Sequence, residues 1–184
     1  MTFKQFFTKT AIVVLLVWAI SNTHAQSTKG NKIQLDSIKK WYSEIQSIGL
    51  QHCIKKSIFE SSEFATGSEP LRYEQIVSKC AINAKYSVIK AEFKGHEWAS
   101  NIYIYLRFNS VFFVFIQGAN ESYSYENRWY CDASENIIEE RLMRHDERSS
   151  VPEIENKLYY NRNIRSHLSE DFVKINSILN HSTR

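Results

Sequence analysis

The chain has 184 residues, with 23 lysines and arginines against 20 aspartates and glutamates. Two prolines, five glycines and the absence of any low-complexity tract exclude a disordered or linker-dominated chain. The basic excess sits largely in Lys4 and Lys9, so past residue 25 the charges nearly balance, and composition excludes a protein built on positive charge for nucleic acid.

In chain order, the first predicted element is an export signal. Lys4 and Lys9 form a basic opening, and Ala11 to Ile20 is an uncharged apolar run. That run is well short of the roughly 20 residues that span a bilayer. Thr23 and Ala25 supply the small residues that a signal peptidase requires, which places the cut after Ala25. No cysteine lies near the junction, against a lipid anchor. Residues 1–25 therefore read as a signal peptide and residues 26–184 as a single α+β domain, periplasmic or secreted, with no membrane span after cleavage.

From Lys32 to Ile48 the apolar residues Ile38, Trp41, Tyr42, Ile45 and Ile48 recur at helical spacing, and Gly49 supplies the stop. Strands are predicted at 52–59, 71–80 and 85–94. In the last, Ser87, Ile89, Ala91 and Phe93 face one way and Tyr86, Val88, Lys90 and Glu92 the other. Ser61 to Pro70 reads as a loop. Residues 101–108 and 111–117 form a hairpin around Asn109-Ser110. Pairing 108 with 111 puts Ile102, Ile104, Leu106 and Phe108 with Val111, Phe113 and Phe115 on the core face, and Tyr103, Tyr105 and Arg107 with Phe112, Val114 and Ile116 opposite.

Gly118 to Glu121 reads as a turn, followed by a strand at 122–132, a tight connection at 132–136 and a charged edge strand at 137–143. Ile154 to Tyr160 is predicted as a short helix. Ser169 is predicted to cap a final helix that buries Phe172, Ile175, Ile178 and Leu179. The expected fold is an N-terminal helix, an antiparallel meander of about five to seven strands, and C-terminal helices packed on the sheet.

Of Cys53, Cys80 and Cys131, an oxidising compartment would pair two and leave one thiol over. Cys53 with Cys80 is the favoured pair, because both flank early segments expected to pack together.

Three stretches carry a resemblance: Ile38-Lys39-Lys40-Trp41-Tyr42-Ser43-Glu44-Ile45, Arg128-Trp129-Tyr130, and Ile137-Ile138 after a short turn. Over residues 33–143, the chain resembles small exported α+β proteins of Bacteroidetes-type bacteria. Cys131 stands where such chains usually have an aromatic. The group has no agreed activity, so the resemblance implies export and layout and nothing catalytic.

The motif search points the same way. No metalloprotease helix, Gly-x-Ser-x-Gly elbow, phosphate loop or dinucleotide fingerprint occurs, and no cofactor, metal or catalytic residue is predicted. Glu139 and Glu140 are adjacent on a strand and point to opposite faces, so they cannot act together as a glycosidase pair. The candidate binding surface is Tyr103, Tyr105 and Arg107 beside Arg128 and Tyr130, residue types that combine apolar area with hydrogen bonding. The function expected is a non-catalytic binding or accessory protein whose partner is another envelope or extracellular protein or a glycan. The alternatives are an inhibitor or immunity-type protein acting through Gly118–Tyr125, and a small hydrolase whose residues converge from distant strands.

Overall fold

The computed structural model describes residues 32–50, 52–61, 71–146, 151–157 and 162–181. The predicted signal peptide and most of the predicted loop ending at Pro70 lie outside them. The chain forms two units, residues 1–37 and 38–184, and the second holds the sheet.

Helix α1 covers residues 32–48. It ends where Gly49 takes φ of 79° and its amide donates to the Ile45 carbonyl, a left-handed stop that costs glycine no steric penalty. Eight antiparallel strands follow and pair strictly in sequence order. They are β1 (Cys53–Ser61), β2 (Arg72–Ala81), β3 (Tyr86–Lys94), β4 (Trp98–Arg107), β5 (Ser110–Asn120), β6 (Tyr123–Cys131), β7 (Ile137–Asp146) and β8 (Glu153–Lys157). Helices α2 (Ile164–His167) and α3 (Ser169–Asn180) close the fold. Cys53 and Cys80 lie directly opposite each other on β1 and β2 and form the expected disulfide, which fits an oxidising compartment. Cys131 is a buried free thiol, and burial pushes its pKa up.

The two sheet faces are covered differently. On one, Val77, Ala91, Ile102, Ile104, Val114, Ile116 and Trp129 form a continuous core with Phe172, Ile175 and Ile178 of α3 and Ile164 of α2. Lys174 of α3 reaches Glu60 at 2.8 Å and stands over the Phe93 ring, while Lys56 donates to the His181 carbonyl at the helix end. A cation there is favoured by the helix dipole. Gly118 lies on this face beneath Tyr125, and a Cβ in its place would come within 2.6 Å of the ring.

The other face receives α1 from Ile38 onward, but at one end only. Trp41 meets Phe112 edge-on at 5.5 Å, and Tyr42 meets Tyr105 at 5.2 Å and Phe113 at 5.3 Å. Tyr86 donates to Glu44, and Gln46 to the Tyr105 hydroxyl. Beyond this contact the face is open among the described residues.

Several expectations are corrected. The β4–β5 loop is Phe108-Asn109, both at positive φ, and Arg107 pairs with Ser110. A register shift after Tyr105 makes Phe112 an extra residue, so Phe112 and Phe113 both turn toward α1. Tyr103 is consequently opposite Phe115, while Val114 and Ile116 join the α3 core. The stretch predicted as a helix from Ile154 forms β8 over Glu153–Lys157, because the free backbone groups of β7 offer it a partner. β7 is therefore not the last strand, and Glu139 and Glu140 are buried instead of lining a solvated edge. Gly118 belongs to β5, with only Glu121 and Ser122 between β5 and β6. Ser169 is the first residue of α3, and Leu168 precedes it with no side-chain cap.

One carboxylate ties the turn after β6 to both layers. Glu135 accepts from the Val111 amide at 2.9 Å and from both Nε and Nη2 of Arg165, while its carbonyl accepts from the Ile164 amide. The hydrogen bond from Arg165 is the main reason its pKa lies below the usual 4.5. A depressed carboxylate stabilises the fold fully above the unfolded-state pKa, and this is lost as pH falls through the folded value. Glu135→Gln should cost about 1–3 kcal/mol at pH 7. The gap between wild type and variant should close as urea melts are taken from pH 6 down through the acid range; a constant gap would contradict the assignment.

Candidate functional site

The open part of the α1-side face is built by strand alternation. Side chains two apart on one strand share a face, and direct partners on neighbouring strands stand side by side. One such row runs Lys90, Tyr103, Phe115, Arg128 and Arg141 across β3 to β7. The Tyr103 and Phe115 rings stack at 5.9 Å with 25° between their planes. Lys90 stands 5.7 Å from the Tyr103 centroid, and Arg128 lies 5.5 Å from that of Phe115. The result is a flat aromatic strip with a cation against each end.

Each cation has a carboxylate two residues away on its own strand. Lys90 meets Glu92 at 2.7 Å, Arg128 meets Glu126 at 2.6 Å, and Arg141 pairs with Glu139. The hydrogen bond to Lys90 holds Glu92 below the usual carboxylate range, and the same contact raises Lys90. The bond to Glu139 raises Arg141 likewise. These pairs fix the long side chains in place more than they stabilise the fold, since half-exposed ion pairs contribute little.

The next row, one step further from α1, reads Glu92, Asn101, Gln117, Glu126 and Met143. Beyond it the side chains shrink to Ala99, Ala119 and Ser124. The drop in size leaves an open groove of about 510 Å³, walled by Asn101, Gln117, Glu126, Met143 and His145. Among the described residues, the amides of Asn101 and Gln117 have no side-chain hydrogen-bond partner. On the other side of the aromatic strip, where α1 begins to cover the sheet, a smaller cavity of about 220 Å³ lies between Ile38, Lys39, Tyr42, Phe115, Arg128 and Tyr130.

Helix α1 divides the five residues of the predicted binding surface. All lie on one face, as the alternation implies. Tyr103 and Arg128 remain accessible in the open strip, and Tyr130 is buried and lines the small cavity. Tyr105 is buried beneath Tyr42, and burial raises its pKa strongly. Arg107 is taken up structurally, its guanidinium 4.3 Å from the Trp41 ring and 5.0 Å from Phe108. The site also includes residues outside that set: Lys90, Asn101, Phe115, Gln117, Glu126 and Met143. Their sequence signal is the spacing of opposite charges, Lys90 with Glu92 and Glu126 with Arg128, on strands that alternate. Phe115 was hidden because the register shift reverses its face.

Among the described residues, no group of three or more histidine, cysteine or acidic side chains could hold a metal, and no helix is long and apolar enough to cross a membrane. No protein-family model, curated protein or solved structure matches this chain.

Proposed function

We propose that this is an exported binding protein of the periplasm or cell exterior, which holds its ligand on the open half of the α1-side sheet face. The observation that carries the reading is the Tyr103–Phe115 strip clamped between Lys90 and Arg128. A rigid sheet presents this pre-ordered, half-exposed amphipathic surface directly beside a groove, so little conformational entropy is lost when a ligand docks. The leader and the Cys53–Cys80 disulfide support export. The sequence resemblance to small exported α+β proteins is in keeping with it. The inhibitor reading through Gly118–Tyr125 loses its exposed loop, because most of that stretch is paired strand.

The test is affinity capture from the host's envelope fraction, with retained protein and sugar both identified. The wild type is compared with a Tyr103→Ala, Arg128→Ala double variant. Capture should fall at least about tenfold in the variant, equivalent to roughly 1.4 kcal/mol, with an unchanged urea midpoint. Equal capture by both would move the ligand away from this face.

A further inference from the structure

We infer that the ligand of this face is an uncharged glycan chain, laid across the Tyr103–Phe115 strip with its hydroxyls in the adjoining groove. The inference rests on the binding role proposed above and names its ligand class. Three features of the face argue for it together.

The first is charge. Lys90, Arg128 and Arg141 are each neutralised by Glu92, Glu126 and Glu139, through contacts made within a single strand. An anionic ligand would have to displace a carboxylate already 2.6 Å from Arg128. A cationic ligand would compete with the same cations. The complement of this balanced surface is a ligand with no net charge.

The second is the pairing of a flat ring surface with free, directional polar groups. Aromatic faces accept the C–H side of a sugar ring. Immediately beside them, Asn101 and Gln117 offer carboxamides, each with two donors and an acceptor, and Ser124 and His145 add further polar groups. Hydroxyl-rich ligands need this alternation of flat apolar and planar polar surface.

The third is what the face lacks as a protein interface. Protein partners bury an apolar centre with protruding anchors. The large exposed apolar side chains of the described residues include Ile54, Phe59, Trp98, Phe108 and Ile154. Phe59 on β1 and Ile154 on β8 lie on this face, at its two edges, and none lies on it within the central strands β3 to β7. The groove is also open, which suits a segment of a longer chain better than an enclosed single sugar.

The experiment is electrophoresis of the protein as its host exports it, through native gels cast with neutral polysaccharides (an α-glucan, a β-glucan, a mannan and a xylan). Gels containing polygalacturonate serve as the anionic comparison. Retarded migration is expected in at least one neutral gel and should persist in 1 M salt. Tyr103→Ala should weaken it on the order of tenfold. Ala119→Trp, which fills the groove from an exposed position, should abolish it with the urea midpoint unchanged. Retardation only by polygalacturonate, or in no neutral gel, would overturn the glycan assignment. The capture experiment then separates the two readings. If the Tyr103→Ala, Arg128→Ala variant still loses a protein partner, the face binds protein and only the ligand class was wrong. If capture is unaffected, the binding face falls as well.

Discussion

Replacing Phe113 with alanine should destabilise the domain by about 3–5 kcal/mol. Phe113 is buried where three tyrosine rings converge: Tyr42 of α1 at 5.3 Å, Tyr105 at 5.4 Å and Tyr130 at 5.1 Å. Removing the ring takes away its transfer free energy and leaves a space that rigid aromatic neighbours cannot fill. The cost includes loosening of α1, because Tyr42 and Trp41 are its main aromatic contacts to the sheet. A Tyr42→Ala, Phe113→Ala cycle should show coupling of about 0.5–1.5 kcal/mol, the usual worth of an edge-on ring pair. A loss under about 1 kcal/mol in urea melts would mean that α1 does not seat on this end of the sheet. The smaller cavity beside Arg128 and Tyr130 would then have no roof.

Removing the disulfide should have the next largest effect. Cys53 and Cys80 are 27 residues apart, and closing a loop of that size removes about 3–4 kcal/mol of unfolded-chain entropy. Cys53→Ser, Cys80→Ser should lower stability by that amount, and so should reduction of the wild type. The bond ties the edge strand β1 to β2 on the face opposite α3, so its loss should loosen β1 first. Thiol counting checks the assignment independently. The native protein should show no fast-reacting thiol, because Cys131 is buried with its pKa raised. Unfolding should expose one thiol, and unfolding with reduction three. One fast thiol in the native state would contradict the burial of Cys131, and three thiols on unfolding without reduction would contradict the disulfide.

Much of this architecture was legible from local pattern. The stripe from Ile38 to Ile45 marked α1, and Gly49 marked its end. The alternation of Ser87, Ile89, Ala91 and Phe93 against Val88, Lys90 and Glu92 assigned both faces of β3 correctly. The same alternation placed Arg128 and Tyr130 opposite Trp129. These stretches were readable because polar and apolar residues alternate at the period of the strand.

Residues 111–116, Val-Phe-Phe-Val-Phe-Ile, were not readable in that way. Every position is apolar, so no contrast reveals which side faces α3, and one extra residue in the pairing reverses the face of everything after it. β8 failed for the opposite reason. Glu153 to Lys157 is exposed throughout and has no buried face of its own; it is a strand because β7 supplies hydrogen-bond partners. Glu139 and Glu140 read as a solvated edge because their burial depends on what packs beside β7. Arg141 pairs with Glu139 within β7 itself, and Asn127 donates to Glu140 from the neighbouring strand β6.

The sequence by itself therefore determined the fold class, the two terminal helices and the shared face of Tyr103, Tyr105, Arg107, Arg128 and Tyr130. Each follows from composition or from a period of 2 or 3.6 residues, which local chemistry sets. Only the tertiary structure decided which part of that face is free. α1 seats over Tyr105 and Phe113 because the β4–β5 register shift turns two consecutive phenylalanines toward it. That leaves Tyr103, Phe115 and Arg128 outside its footprint, beside a groove formed where the row of long polar side chains gives way to Ala99, Ala119 and Ser124. The groove depends on residues from four strands standing side by side, and no local period records that arrangement.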